Sequence, residues 1–170
     1  MVNSLLDAVS ILFNSEWGFI AFCIISLLLF YLFSKHRKVF FLSLLIAASL
    51  GIGLKVFIAQ PRPCVDLESK VLCPASFGFP SDHAVVATVF LLGALGSFLF
   101  PYYAAFAIII FFSRLWLGVH TFPQVAGGFA LGALVFLVVF QLNQKFFGSY
   151  SSKIDLDGLF EENLLTKRVE

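Results

Sequence analysis

The chain has 170 residues, is 60% hydrophobic and 12% charged, and carries 23 Phe. Soluble domains hold about 25% charged residues, so an ordinary soluble globule is excluded. The net charge of +1 comes with no basic tract, which argues against a nucleic-acid partner. A bilayer-spanning helix takes roughly 20 apolar residues, so the length allows about five such helices and no second soluble domain. The expected architecture is all-α: a polytopic membrane helix bundle over residues 1–144, with a charged C-terminal tail over 145–170.

At the N-terminus, Leu5, Leu6, Val9, Leu12 and Phe13 recur at helical spacing among the polar Asn3, Asp7 and Asn14. This predicts an amphipathic helix lying in the interface rather than a span. Trp17 to Phe33 is uncharged and predicts the first span, with Trp17 and Tyr31 suited to the two interfaces. No basic region precedes it, and Glu16 and Lys35 bound it, so it reads as a retained helix, not a cleaved signal. After the basic turn Ser34-Lys35-His36-Arg37-Lys38, Val39 to Ala59 predicts the second span, stopped by Pro61 and Pro63. Gly51 and Gly53 on it suggest close approach by another helix. Residues 64–79 form the one sizeable polar loop. Ala84 to Phe112 is too long for one helix, and Pro101 divides it into a third span and a short fourth. Val125 to Phe140 is the fifth.

Counting Lys and Arg gives an orientation. Lys35, Arg37 and Lys38 mark the first turn as cytoplasmic, and five spans then place the N-terminus outside and the tail, with Lys145, Lys153, Lys167 and Arg168, inside. Three polar islands fall on the non-cytoplasmic face: Lys55 to Arg62, Ser81-Asp82-His83, and Ser113-Arg114 to Gln124. In an oxidising compartment on that side, Cys64 and Cys73 can form a disulfide across the polar loop. Cys23, in mid-helix, reads as a packing residue.

Lys55, Arg62 and Arg114 are cations at the ends of apolar helices. Each alone also reads as a snorkelling side chain, but charges near hydrocarbon are costly and mark function when they converge. Ser81 or Asp82 can cap the helix that follows, whose first N–H groups favour an anion. His83 and His120 lie beside these groups, and His is the side chain best suited to proton transfer near neutral pH. Fixed cations and a helix start suit a phosphoryl group. One His can attack phosphorus while the other protonates the leaving oxygen. Neither an HExxH nor an EF-hand pattern, a carboxylate cluster or a Walker loop occurs, so the reading includes no metal and no cofactor.

These residues resemble the type 2 phosphatidic acid phosphatase superfamily, whose pattern is KxxxxxxRP, then PSGH, then SRxxxxxHxxxD. Here the chain reads Lys55-Val-Phe-Ile-Ala-Gln-Pro-Arg62-Pro63, then Pro80-Ser81-Asp82-His83, then Ser113-Arg114 to His120 and Gln124. The resemblance covers residues 55–124. It implies that Lys55, Arg62, Arg114 and Ser81 hold phosphate, that His120 is the nucleophile passing through a phosphohistidine, and that His83 is the general acid. Members of this family need no metal.

Two positions depart from the pattern. Asp82 stands where the family has glycine, and the form Pro-Ser-Asp-His resembles the branch that hydrolyses undecaprenyl diphosphate. Asp82 also puts a carboxylate beside the phosphate cradle. Gln124 replaces the Asp that orients the nucleophilic His; in serine proteases the comparable amide costs about 10⁴ in rate. Three readings follow: slower work or another supporting residue such as Asp82, altered chemistry, or weak catalysis. The resemblance implies a multi-pass cell-membrane phosphatase whose substrate is a polyisoprenyl diphosphate of the undecaprenyl type, cleaved to the monophosphate. Phosphatidate or phosphatidylglycerophosphate is the alternative substrate. A non-catalytic lipid-phosphate binder and a purely structural membrane protein are the readings from other classes.

Overall fold

The computed structural model describes residues 5–34 and 37–148; Asn3, Lys35, His36 and the tail from 149 onward lie outside the described residues. Six α-helices occur among the described residues: α1 (Leu5–Asn14), α2 (Glu16–Phe33), α3 (Arg37–Ile58), α4 (Asp82–Gly93), α5 (Phe100–Trp116) and α6 (Phe122–Asn143), the last followed by a π-helical turn over Gln144–Gly148. A 3₁₀ turn, Pro63–Val65, lies in the polar loop. Among the described residues no strand occurs, and the all-α membrane fold is as the composition implied. The described residues fall into two compact units, divided between Phe136 and Leu137.

By length and composition two helices can cross a membrane, Arg37–Ile58 and Phe122–Phe146, or three if α1 and α2, bent by 77°, count as one span. The expectation of about five spans exceeds this because α4 and α5 are short. At about 1.5 Å rise per residue they reach about 18 and 26 Å, less than a hydrocarbon core of about 30 Å. The break between them also falls earlier than Pro101 suggested. Helix α4 ends at Gly93, and a turn follows in which Gly96 takes φ +73°. That left-handed region is open to glycine and costly for other residues. Pro101 sits instead in the first turn of α5, where its missing N–H is harmless.

Amphipathicity runs inside out. In α1 the buried residues are Asp7 and Ser10, while Leu5 is 82% exposed. Elsewhere Trp17 and Phe57 are 83% and 86% exposed. The polar face of α1 packs on α5: Asp7 Oδ1 accepts from Trp116 Nε1 at 2.9 Å and from Lys70 Nζ at 3.0 Å. The core is aromatic, with Phe30 stacked on Phe40 at 3.8 Å and Phe90 on Tyr103 at 5.2 Å.

A close contact between α6 and the start of α4 positions the site. A Cβ on Gly128 of α6 would meet the Ser81 carbonyl oxygen at 2.6 Å and Ala84 Cβ at 2.8 Å. Only a residue without a side chain lets α6 come this close to the start of α4. Gly51 of α3 faces α4 as expected, 3.7 Å from Asp82 Oδ1 for a built Cβ, whereas Gly53 faces open space.

Candidate active site

Three chain segments deliver the polar residues to one end of the first unit. Lys55 lies in the last turn of α3, whose end is marked by Ala59 at φ +50°. Ser81 is the N-cap of α4, following the cis Phe79–Pro80 bond, with Asp82 and His83 in the first turn. Arg114 closes α5, and the connector through Gly118 carries His120 to the start of α6, where Gln124 lies in the first turn. Lys55, Arg62, Ser81, Arg114, His120 and Gln124 are all buried. His83 lies within electrostatic reach of Arg114, His120, Arg62 and Lys55, and the Phe19 ring of α2 packs on it at 4.0 Å.

The His120 hydrogen bonds specify its tautomer. Gln124 Nε2 donates to the Pro61 carbonyl at 2.9 Å, and Gln124 Oε1 accepts from the Thr121 N–H at 3.1 Å. A carbonyl only accepts and an N–H only donates, so both partners fix the same amide orientation. Oε1 therefore faces His120 Nδ1, 3.2 Å away, which must carry the proton. Nε2 is left with its lone pair, and it accepts from Arg62 Nη1 at 2.7 Å. Burial, and then the charges of Arg62, Arg114 and Lys55, push the His120 pKa down to about 3. At neutral pH the imidazole is neutral, with its proton on Nδ1 and its lone pair on Nε2.

The cations are held to different degrees. Arg62 Nε donates to the Ser76 carbonyl at 2.7 Å, Nη2 to Ser76 Oγ at 3.0 Å, and Nη1 also to the Val119 carbonyl at 3.2 Å. Burial lowers the Arg62 pKa, and the Asp82 charge opposes the shift. Lys55 Nζ is ion-paired with Asp82. Arg114 donates through Nε to Ser113 Oγ at 3.3 Å and through Nη1 to Asn14 Oδ1 at 3.1 Å. Its Nη2 is buried without a hydrogen-bond partner, and so is Ser81 Oγ, which does not cap its own helix. Two unpartnered donors beside a helix start and a neutral imidazole form a cradle for an oxyanion.

All eight residues expected from the sequence fall in this cluster. The sequence reading did not single out Ser76, Phe19 or Asn14. Ser76 is one of several small polar residues in the loop, Phe19 is one Phe among 23, and Asn14 lies 100 positions from its partner. Cys64 and Cys73 are joined in a disulfide, their Cα atoms 5.5 Å apart. It closes the loop whose Lys70 N–H donates to the Leu117 carbonyl just before His120. Among the described residues no group of three or more His, Cys, Asp or Glu could hold a metal ion.

The profile of the PAP2 superfamily matches residues 37–147, all three polar islands included. The chain belongs to the PAP2 superfamily. A crystal structure of a transmembrane PAP2-type phosphatidylglycerolphosphate phosphatase from Bacillus subtilis has the same fold, with a TM-score of 0.62 and 24% identity over 84% of this chain and 76% of that one. Among curated proteins, this PAP2 chain is 30% identical over 105 residues to phosphatidylglycerophosphatase B of Bacillus subtilis (strain 168). It is also 30% identical over 105 residues to human sphingosine-1-phosphate phosphatase 2. The matched stretch is 54% of this chain, and it spans 50% of the bacterial relative and 26% of the human one.

Proposed function

We propose that this chain is an integral membrane lipid phosphatase working through a phosphohistidine. The observation that carries the reading is His120: a buried neutral imidazole with Nδ1–H tied to Gln124 and the Nε2 lone pair aimed at Arg62. An incoming phosphate takes Arg62 Nη1, Arg114 Nη2 and Ser81 Oγ as donors, and Lys55 supplies further positive charge. The move of Arg62 Nη1 onto a phosphate oxygen frees the Nε2 lone pair. Nε2 then forms the N–P bond as the P–O bond to the lipid breaks, and His83 passes its proton to the leaving oxygen. Water next attacks phosphorus, the N–P bond breaks, and His83 takes the water proton. The imidazolium formed in the first step is held by the Gln124 carbonyl dipole alone.

The lipid is proposed to be a polyisoprenyl diphosphate, cleaved to the monophosphate with its tail among the helices in the bilayer. The support is Asp82 in Pro-Ser-Asp-His, which stands on Lys55 and reshapes the cradle where other members have glycine. Phosphatidylglycerophosphate is the second reading, favoured by the name of the Bacillus relative. The site is proposed to face the non-cytoplasmic side, following the Lys and Arg count. No cofactor or protein partner enters the proposal.

Phosphate release by purified protein, measured with chelator present from a polyprenyl diphosphate and from phosphatidylglycerophosphate, tests this reading. Release from the diphosphate at the higher kcat/KM, abolished in His120→Ala, is expected. Preference for the monoester would establish the second reading. No release from either, with inorganic phosphate still bound, would make the chain a non-catalytic binder. Arg62→Ala and Arg114→Ala without effect on binding or release would leave a structural role.

A further inference from the structure

The family match begins at residue 37, yet a residue well before it touches the site. We propose that Asn14, at the end of α1, is a positioning residue that sets the direction of the Arg114 guanidinium toward the phosphate. This rests on the reading above, in which Arg114 binds that group.

The guanidinium has five N–H donors in a rigid planar fork. Nε is turned to Ser113 Oγ, and Nη1 to Asn14 Oδ1. An arginine only donates, so the Asn14 amide must present its oxygen there. With these two edges held from opposite sides, the plane of the fork is fixed and Nη2 is the free edge, buried with no partner. Arg62 gets the same service from Ser76 and Val119, both inside the matched region. Arg114 has Ser113 inside that region for Nε, but its Nη1 partner comes from outside it.

Helix α1 is fastened where such a role needs it. Asp7, buried, joins Trp116 at the end of α5 and Lys70 of the disulfide loop, and Lys70 also lies over the Trp116 ring at 3.6 Å. At the other end Ser15 Oγ caps α2 by accepting from the Gly18 N–H at 3.1 Å, which sets the corner at which Asn14 sits. Asn14 is thus anchored on both sides within its own short helix. A neutral amide is the fitting chemistry: it directs the fork without cancelling the charge. A carboxylate there would direct it equally well and compete with the phosphate for it.

The test compares wild type with Asn14→Asp, Asn14→Leu and Arg114→Lys, using reconstituted full-length protein. Three quantities are read: steady-state phosphate release from the preferred lipid, competition by inorganic phosphate, and melting temperature in detergent with and without orthovanadate. Asn14→Asp should raise KM about tenfold or more, weaken phosphate competition in step, and keep its melting temperature. Asn14→Leu should do the same by a smaller factor. In both, kcat should stay within about twofold, because binding lost equally from ground and transition states appears in KM. A merely structural Asn14 predicts the opposite order: the isosteric Asp behaves as wild type, and Leu loses melting temperature and kcat together. That result, or wild-type KM and phosphate competition in both variants, overturns the proposal. Failure of the underlying reading shows separately. In that case wild type releases no phosphate and gains no melting temperature with orthovanadate, or Arg114→Lys matches wild type in every readout. The orthovanadate shift reads anion binding without turnover, so loss of that shift in Asn14→Asp would uphold the proposal even in a protein that does not hydrolyse the lipid.

Discussion

In the proposed mechanism the chemistry turns on Gln124, because it departs from the carboxylate expected beside a nucleophilic His. From the sequence alone, Gln124→Asp should simply raise turnover by supplying a charge to the imidazolium. The geometry makes the outcome two-sided. Gln124 spends its oxygen on His120 and Thr121 and its Nε2 on the Pro61 carbonyl. Aspartate keeps an oxygen for His120 and cannot donate to Pro61, and its shorter stem draws back from that carbonyl. A buried acceptor left unpaired costs about 1–3 kcal/mol. Gln124→Asp is therefore expected to lower the melting temperature by several degrees while raising kcat. A melting curve and a turnover number on the same preparation check both halves. A rise in neither would mean that the amide is already the better partner in this frame. Asp82 shows the same lesson. The sequence alone offers it as a carboxylate beside the phosphate cradle or as a supporting residue in place of the family's Asp; in the structure it is paired with Lys55, so the charge of that lysine is partly balanced.

Elements were legible where periodicity and punctuation agreed, and less so where small residues did the work. The runs that became α2, α3 and α6 are predominantly apolar, with charged residues only near their ends, so composition alone located them. The end of α4 was misplaced because a proline outranks two glycines as a sequence signal, although Gly96 at φ +73° makes the turn. Glycine on α6 carries more weight than the sequence conveyed. Gly128 lies against the Ser81 carbonyl, and the Ser81 N–H donates to the Gln124 carbonyl at 3.1 Å. The helix that holds Gln124 and the turn that holds Ser81 are thus in register through backbone contacts. A methyl group at 128 would push them apart, since a carbonyl oxygen at 2.6 Å belongs to backbone and cannot swing aside as a flexible side chain would. Gly128→Ala is expected to cut turnover by about tenfold or more, because displacements on the order of 1 Å away from the chemistry have effects of up to about a hundredfold. The protein should still reach the membrane in normal amount. Activity per molecule, scored against the amount in isolated membranes, is the check; full activity would show that the two helices can separate without harm to the cradle.

At the scale of the molecule, the charged groups among the described residues lie near helix ends or in loops while many large apolar side chains face outward, an arrangement suited to lipid. The same rule explains why the site could be read from sequence at all. In a chain where only 12% of residues are charged, each cation near a helix end needs a reason, and Lys55, Arg62 and Arg114 all converge on His120. What stayed hidden was contact across long sequence separation, such as Asn14 on Arg114 or Phe19 on His83, which no spacing rule reaches. The orientation proposed for the site is argued from the same economy of charge. The disulfide loop and the cradle lie together, because Lys70 binds at Leu117 and Ser76 holds Arg62. They must therefore share one side, and the basic turn at Arg37 and Lys38 precedes a helix long enough to reach the other. Leu72, 93% exposed in that loop, and Lys38, exposed at the start of α3, are the two places to look. In a Cys23→Ala background, a membrane-impermeant maleimide applied to intact cells should label Leu72→Cys and leave Lys38→Cys untouched until the cells are opened. The reverse pattern would put the cradle on the cytoplasmic side, where a reducing environment would oppose the Cys64–Cys73 bond. The proposed orientation thus rests on two unrelated kinds of physics, the redox chemistry of the disulfide and the electrostatics of the charge count, and the labelling pattern tests both at once.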